Sequence, residues 1–368
     1  MTEHFCTYFD QNYLVRAVAL YESMCAHFRK PVVLWALCMD DAAYDALEAL
    51  DEPNFRPVRL EKLEAADPEL AAAKKNRSQY ERYFTCTPAW TLYLLESVAD
   101  SGRITYLDAD MLFFEDVQPV FDELGDGSIL IIPHRFSENV RDREVYGNYN
   151  VGLLTFRADD AGRACLKWWR ERCIEWCYDR LEEDRFADQK YMDRWPELFS
   201  NVIVLQHIGV NTAPWNFSNY EFTRRGDRIY VDEQPLILYH YQGLKLINGW
   251  LCDPGVHQYA EMPPATLEMI YSPYLNALRK GWQRLRINVK VSSPGFDGFS
   301  SRKYGRQMFL RQLLKRRIIL VFPPFSWRLV VYPSLITMGN VLKSIPDHQT
   351  SSWTVTAESV AMRYVAFL

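Results

Sequence analysis

No uninterrupted apolar stretch approaches the ~20 residues that an α-helix needs to cross a bilayer, so integral membrane insertion is not expected of this 368-residue chain. The opening Met1-Thr2-Glu3-His4 carries no basic leader and no apolar signal segment with a small-residue cleavage site, which predicts a cytoplasmic protein. Paired Cys-x-x-Cys spacings are missing as well. The eight cysteines, Cys6, Cys25, Cys38, Cys86, Cys165, Cys173, Cys177 and Cys252, are scattered, which excludes a zinc ribbon or a dithiol redox motif and reads as reduced, mostly buried thiols. Cys173 and Cys177, one helical turn apart beside Trp169 and Trp176, are expected in a core. No internal repeat or low-complexity linker breaks the chain. Nor is there a helix-turn-helix, RNP-like or finger pattern, and nucleic acid is not an expected partner.

What is present is ample for a folded core, with 48% hydrophobic residues. The net charge of −5 conceals an asymmetry: between Arg279 and Lys343 stand 14 Lys and Arg against a single acid, Asp297, so an acidic body carries a basic segment near its end. The first 60 residues alternate between strand and helix patterns: strands over 4–9, 31–38 and 55–60, helices over 12–28 and 40–50. That alternation predicts a parallel sheet covered by helices. A helix over 80–99 leads into Arg103-Ile-Thr-Tyr-Leu-Asp108, whose apolar run stops abruptly at acids. Further strands are expected over 128–132, 151–156, 202–205 and 236–239, with a Trp-rich helix over 161–181. After Pro263 the alternation fades, placing a domain over 1–262 and an extension over 263–368.

Ligands of open α/β sheets bind outside the carboxyl ends of strands. Two apolar strands here end in groups that can carry chemistry. The first is Tyr106-Leu107-Asp108-Ala109-Asp110: alternate residues of an extended chain point the same way, so both carboxylates can reach one divalent cation and the phosphates bound to it. A pair of acids in a solvated turn would look the same. The second is His240-Tyr-Gln-Gly243-Leu-Lys245, after the apolar run 235–239. Its imidazole offers a third ligand, Gly243 lets the backbone approach a diphosphate, and Lys245 offers a compensating charge. Singly, each would read as a core histidine and a surface lysine; together with Asp108 and Asp110 they describe a pyrophosphate site.

The order of motifs resembles the GT-A fold glycosyltransferases, most closely the retaining family of glycogenin and the lipopolysaccharide galactosyltransferases. That family's opening Asp-x-Asn-Tyr appears as Asp10-Gln-Asn12-Tyr13, its Asp-x-Asp as Asp108-Ala-Asp110, its Asn-x-Gly as Asn150-Val-Gly152, its Asp-Gln as Asp188-Gln189, and its His-x-x-Gly-x-x-Lys as the segment His240 to Lys245. The resemblance covers about residues 4–250. It implies an α/β GT-A nucleotide-sugar-binding fold, a Rossmann-like mixed sheet flanked by helices, with a mostly helical basic C-terminal extension. It implies a divalent metal, Mn2+ first and Mg2+ next, on Asp108, Asp110 and His240, and a UDP-sugar donor. Tyr8, Asp10 and Asn12 would hold base and ribose, Arg77 the diphosphate, Asn150 and Gly152 the sugar. Asp188 would bond sugar hydroxyls, or serve as nucleophile in a double displacement, and Gln189 would lie near the anomeric carbon, with retention of configuration. Glu81, Thr85 and Thr87 are further candidates for ribose or metal-shell contacts.

The family's Lys-Pro-Trp after the glycine is absent, Leu246 and Ile247 standing there with Trp250 further on, so the acceptor side departs from the pattern. The segment His207 to Asn216 is either a sugar-stacking loop or an ordered loop on the sheet. Competing readings are an inactive sugar-nucleotide-binding protein and a nucleotidylyltransferase, although Phe9-Asp10-Gln11-Asn12 is not the Gly-rich basic loop the latter carries. Over 302–332 basic residues alternate with apolar and aromatic ones, a pattern that either packs on the catalytic domain or lies on an anionic membrane, the second suiting a lipid-linked acceptor as well as a glycan one.

Overall fold

The computed structural model describes residues 2–98, 102–248, 251–288 and 319–320. The elements, in order, are β1 (Glu3–Phe9), α1 (Leu14–His27), β2 (Val32–Cys38), α2 (Asp41–Leu50), β3 (Phe55–Arg59), α3 (Leu60–Ala66), α4 (Pro68–Ala73), α5 (Gln79–Ser97), β4 (Arg103–Leu107), β5 (Met111–Phe113), α6 (Gln118–Leu124), β6 (Ile129–Pro133), β7 (Tyr149–Arg157), α7 (Asp160–Glu175), α8 (Trp195–Leu198), β8 (Val202–Val204), β9 (Val210–Thr212), β10 (Phe222–Arg225), β11 (Arg228–Val231), β12 (Gln234–Pro235), β13 (Leu238–His240), β14 (Lys245–Asn248), β15 (Leu251–Asp253), α9 (Pro264–Asn288) and β16 (Ile319–Leu320).

Seven strands form the central sheet in the order β3-β2-β1-β4-β7-β6-β8. Every neighbouring pair is parallel except the two made by β7, which runs against β4 and β6. This is the mixed α/β architecture expected from the sequence. The five inner strands are almost wholly buried, as strands covered on both faces are, while the edge strands β3 and β8 are partly open. One core cluster beneath α5 and α7 is built on Trp90, Trp169 and Trp195, none more than marginally exposed. Cys173 and Cys177 lie in it, and seven of the eight cysteines are buried, Cys25 being exposed.

Local chemistry sets the boundaries. α2 begins where the Asp40 side chain accepts from Ala43 N, and α5 where Ser78 and Glu81 form a capping box. α7 stops at Glu175, short of the expected 181. Trp176 takes an extended backbone (φ −152°, ψ 120°) that turns it and Cys177 into the core.

Two compact units divide the chain. Among described residues, one takes in 2–98, 102–243 and 256–288, the other 244–248 and 251–255 with 319–320. The boundary expected between 262 and 263 therefore falls inside the second segment of the first unit, whose α9 packs against α1: Arg284 pairs with Glu22 at 3.4 Å, and Gly281 sits over Val18. The second unit holds β14 and β15, paired antiparallel, with β16 beside β15. Apart from 319–320, the basic and aromatic stretch 302–332 lies outside the described residues, as does Trp250. Among the described residues, no helix is long and apolar enough to cross a membrane.

Candidate metal centre

Register brings the centre together. β4 ends at Leu107, and the chain passes through Asp108-Ala109-Asp110 into β5, which pairs antiparallel with β13 so that Met111 faces His240. The ladder continues one step as Tyr241 N donates to Asp110 O at 2.9 Å. On the other side β7 runs against β4, and Asp108 N donates to Gly152 O at 3.0 Å. Asp108, Asp110 and His240 thus arrive from two strand ends that are far apart in sequence, as the sequence predicts.

His240 Nε2 lies 3.2 Å from Asp110 Oδ1 and 3.7 Å from Asp108 Oδ2, and one ligand atom from each residue fits within a 4.8 Å cluster. Asp110 and His240 are buried, while Asp108 keeps its carboxylate partly open, side-chain exposure 29%. Tyr106 Oη donates to Asp108 Oδ1 at 2.7 Å. Two carboxylates and an imidazole lone pair converging on one point suit a hard or borderline divalent cation. The residues fit the implied metal.

The imidazole is oriented from behind. His240 Nδ1 lies 3.4 Å from Asn211 Oδ1, so an Nδ1–H donated there leaves Nε2 bare toward the carboxylates. Asn211 is fully buried with φ +58°, the left-handed region that Asn tolerates better than most side chains. The Trp215 ring meets His240 edge to face at 5.1 Å. Trp215 and Asn216 both donate to the His134 carbonyl at 2.8 Å, and Asn216 Nδ2 also bonds Asn211 O. The segment 207–216 is therefore an ordered buttress behind the histidine, with Trp215 buried.

Charge inside the cluster is shared. Burial opposes ionisation of all three groups, yet Asp110 is held below the usual carboxylate range by His240 and by Arg16, and His240 is raised by the two aspartates. Asp108 goes up, through burial and then the neighbouring Asp110 charge. Without metal the cluster thus holds a proton on His240 between two carboxylates. A cation must displace it, so metal affinity should rise with pH through and above the usual His value of about 6.5, by up to roughly tenfold per unit, and level off once His240 is neutral. Calorimetric titration of Mn2+ in buffers of different ionisation enthalpy should find proton release at pH 6 that falls off as the pH rises. No proton release at pH 6 would place the metal elsewhere.

Four other expected residues are placed by these neighbouring strands and loops. The register of β1 with β4 aligns Cys6 with Tyr106, which puts Tyr8 level with Asp108, its ring 5.9 Å from that of Tyr106. Burial and the charges of Asp188 and Asp108 keep the Tyr8 hydroxyl protonated. Asp188 is buried, and burial, with Asp108 beside it, pushes its carboxyl up to about 7 against a hydrogen bond from Thr87. Asn150 is buried, and its Oδ1 accepts from Gly152 N at 3.0 Å. Gln189 is half-buried and donates from Nε2 to Tyr146 O at 3.1 Å.

The remaining expected residues have these surroundings. Asp10 accepts from Asn12 N (3.0 Å) and Asn12 Nδ2 (3.2 Å) and receives the Tyr83 hydroxyl at 3.3 Å, while Asn12 is exposed. The Arg77 guanidinium donates to the carbonyls of Cys173 (3.4 Å) and Ile174 (3.1 Å) at the end of α7 and stacks over Tyr178 at 4.0 Å. Gly243 has φ +79° with open space around its Cα, and Lys245 opens β14 in the second unit. Glu81 caps α5 and accepts from Asp179 N at 3.1 Å. Thr85 donates to Glu81 O at 2.7 Å, and Thr87 lies 3.5 Å from the Tyr8 hydroxyl.

The sequence reading missed Arg16 and His134, and took in Asn211 only as part of the segment 207–216. Arg16 is fully buried among the apolar residues of α1, donates to Asn12 O at 3.0 Å and stacks over Tyr13 at 4.4 Å. An arginine in the apolar run Leu14-Val-Arg-Ala-Val is itself a signal that something negative lies opposite. His134 follows the strand 129–133, so the strand-end rule that found Asp108 applies to it equally.

Fold and site define an α/β protein with an Asp-Asp-His cluster able to hold metal at adjoining strand ends. No protein-family model matches the chain. It belongs to the family of two uncharacterized proteins of Bacillus subtilis (strain 168), YfnF and YfnD. With YfnF it is 31% identical over 310 residues, covering 82% of this chain and 99% of YfnF. With YfnD it is 32% identical over 307 residues, 81% of this chain and 94% of YfnD. Among solved structures it is similar to the galactosyltransferase LgtC in complex with donor and acceptor sugar analogs, with a TM-score of 0.46 and 19% identity over 65% of this chain and 87% of that one.

Proposed function

We propose that the chain is a metal-dependent GT-A glycosyltransferase that moves a sugar from a nucleoside diphosphate, UDP first, to a glycan or lipid-linked acceptor, with retention of configuration. The observation that carries this reading is the convergence of Asp108, Asp110 and His240 at strand ends, with Tyr8, Asn150 and Asp188 around them. Asp108, Asp110 and His240 would hold the cation, Mn2+ or Mg2+, which offsets charge developing on the departing diphosphate. His240 is kept in its Nε2-bare tautomer by Asn211. Tyr8, Asp10 and Asn12 bind the nucleoside side, and Lys245 is the sequence's candidate for the diphosphate charge. Asp188 orients sugar hydroxyls. With its carboxyl pushed up to about 7, it ionises more readily once a cation offsets the Asp108 charge beside it. Gln189 lies near the anomeric carbon, and a glutamine there suits front-face attack, in which the leaving phosphate takes the acceptor's proton. The basic segment 302–332 is the proposed contact with an anionic membrane surface, which suits a lipid-linked acceptor made in the cytoplasm.

Calorimetric titration with a panel of sugar nucleotides tests the reading. UDP and one UDP-sugar should bind in Mn2+ and lose at least tenfold affinity in EDTA, because two carboxylates face the diphosphate when the cation is gone. Equal affinity in both conditions would overturn metal dependence. UDP-independent metal binding with no nucleotide affinity would overturn the donor class.

A further inference from the structure

Asn150 stands where a contact to the donor sugar is expected, yet both ends of its carboxamide already have partners within the fold. It lies on β7 opposite Ile132 of β6, and the ladder runs on so that His134 N donates to Asn148 O at 2.9 Å. His134 and Asn150 are therefore diagonal neighbours on one face of the antiparallel pair. Gly152 N can only donate, so the Asn150 atom it meets at 3.0 Å is Oδ1, which turns Nδ2 toward His134 Nε2 at 3.3 Å. An amide nitrogen likewise has only protons to offer, and His134 Nε2 must answer with its lone pair. Burial keeps the ring neutral, its pKa down at about 3, and the single proton then sits on Nδ1. That atom is buried and meets no partner at hydrogen-bond geometry among the described residues, so no second bond competes with Asn150 in selecting the tautomer. The ring itself is pinned, 4% exposed, stacked on Phe136 at 4.5 Å and met by the edge of Trp215 at 5.5 Å.

The far end of this line of bonds is the metal cluster. Gly152, whose amide Asn150 holds, accepts from Asp108 N through its own carbonyl at 3.0 Å. Its Cα also backs onto the imidazole, since a Cβ built there would lie 2.9 Å from His240 Nδ1. Gly152 thus adjoins two of the three residues that converge on the cation site. We propose that His134 is a positioning residue: its bare Nε2 holds the Asn150 carboxamide against the Gly152 amide, and so sets the backbone on which Asp108 and His240 rest. Asn150 then belongs to the support of the cation site and not to the groups that bond the sugar. Without the imidazole lone pair, the buried Nδ2 loses its acceptor, the carboxamide is free to turn, and Gly152 is held less firmly at both neighbours. This rests on the reading that Asp108, Asp110 and His240 hold a divalent cation.

The test titrates the full chain with Mn2+ alone, with no nucleotide or sugar present, so that a sugar contact has nothing to act on. His134→Phe keeps a ring and loses the acceptor, and Asn150→Ala removes the carboxamide. Each should weaken Mn2+ by about tenfold, at the low end of what losing a supporting bond around a metal site costs. The double variant should be no weaker than Asn150→Ala, because the two residues act through one bond. His134→Gln carries an amide oxygen to the Nε2 position and should recover most of the affinity. Equal Mn2+ affinity in the Phe and Gln variants overturns the proposal. So does wild-type Mn2+ affinity in Asn150→Ala with a loss confined to the Kd for UDP-glucose, which would return Asn150 to the sugar. Nitrogen NMR of wild-type protein labelled at histidine needs no variant to fold: Nδ1 should be protonated and Nε2 bare for His134. An Nε2-protonated ring overturns the proposal whatever the titrations give. A wild-type chain that takes no Mn2+ would sink the metal reading alone, leaving the bond from Asn150 to His134 to be decided by those spectra.

Discussion

Asp110→Asn, Asp108→Asn and His240→Ala should each lower turnover of the UDP-sugar by at least about a thousandfold, while circular dichroism and Tm stay close to wild type. The asparagines are isosteric, and the Asp110 main chain keeps its bond from Tyr241 N at 2.9 Å, so the β5–β13 junction has no reason to open. On the proposed reading each change removes one of three ligands, and with it several kcal/mol of charge stabilisation at the leaving group. The three should differ in Mn2+ affinity. Asp110, with the Arg16 charge beside it, is already ionised in the absence of metal, whereas Asp108 is raised by burial and must give up part of its advantage. Asp110→Asn should therefore weaken Mn2+ more than Asp108→Asn does. Wild-type Mn2+ affinity in Asp110→Asn, measured by titration, would take that residue out of the metal shell.

Much of this arrangement is legible in the sequence because strand ends announce themselves. Apolar runs that stop at acids or at a histidine marked Asp108 and His240, and the periodic first 60 residues give β1, α1, β2, α2 and β3 to within two residues at either end. Short elements carry too little pattern. β9 is three residues whose left-handed Asn211 has no propensity signature, yet it orients the metal histidine. Helix ends set by tertiary contact are equally hidden. α7 stops at Glu175 because Trp176 and Cys177 turn inward and Arg77 takes the freed carbonyls of Cys173 and Ile174, a bond across almost a hundred residues that no local rule foresees. The same bond gives Arg77 a structural partner where the sequence suggests a phosphate.

Gly152→Ala should be the most disruptive small change in the site, and the reason is steric. A Cβ there would lie 2.5 Å from Asn150 Oδ1, 2.5 Å from Met111 Cε and 2.9 Å from His240 Nδ1. Met111 is fully buried, so its flexible end can give only within the packed core, while Asn150 is tied through Oδ1 to the Gly152 amide itself and the His240 ring meets Trp215 edge to face. The methyl must push the imidazole off its line with the two aspartates, or force β7 away from β4. Overpacking of this kind costs about 1–3 kcal/mol, a fall in Tm on the order of 2–12 °C for a domain of this size. Mn2+ affinity should drop at least tenfold if the displaced imidazole is the third ligand, as proposed. Gly243→Ala is the matched control: its φ of +79° charges the backbone about 1–2 kcal/mol, but nothing lies within 4 Å of the added carbon. That variant should lose comparable stability while binding Mn2+ alone as well as wild type, and should weaken only when UDP is added, if the backbone at Gly243 closes on the diphosphate. Thermal melts and Mn2+ titrations on the two variants separate the cases. Wild-type metal affinity in Gly152→Ala would mean that His240 tolerates displacement and that the two aspartates alone hold the cation.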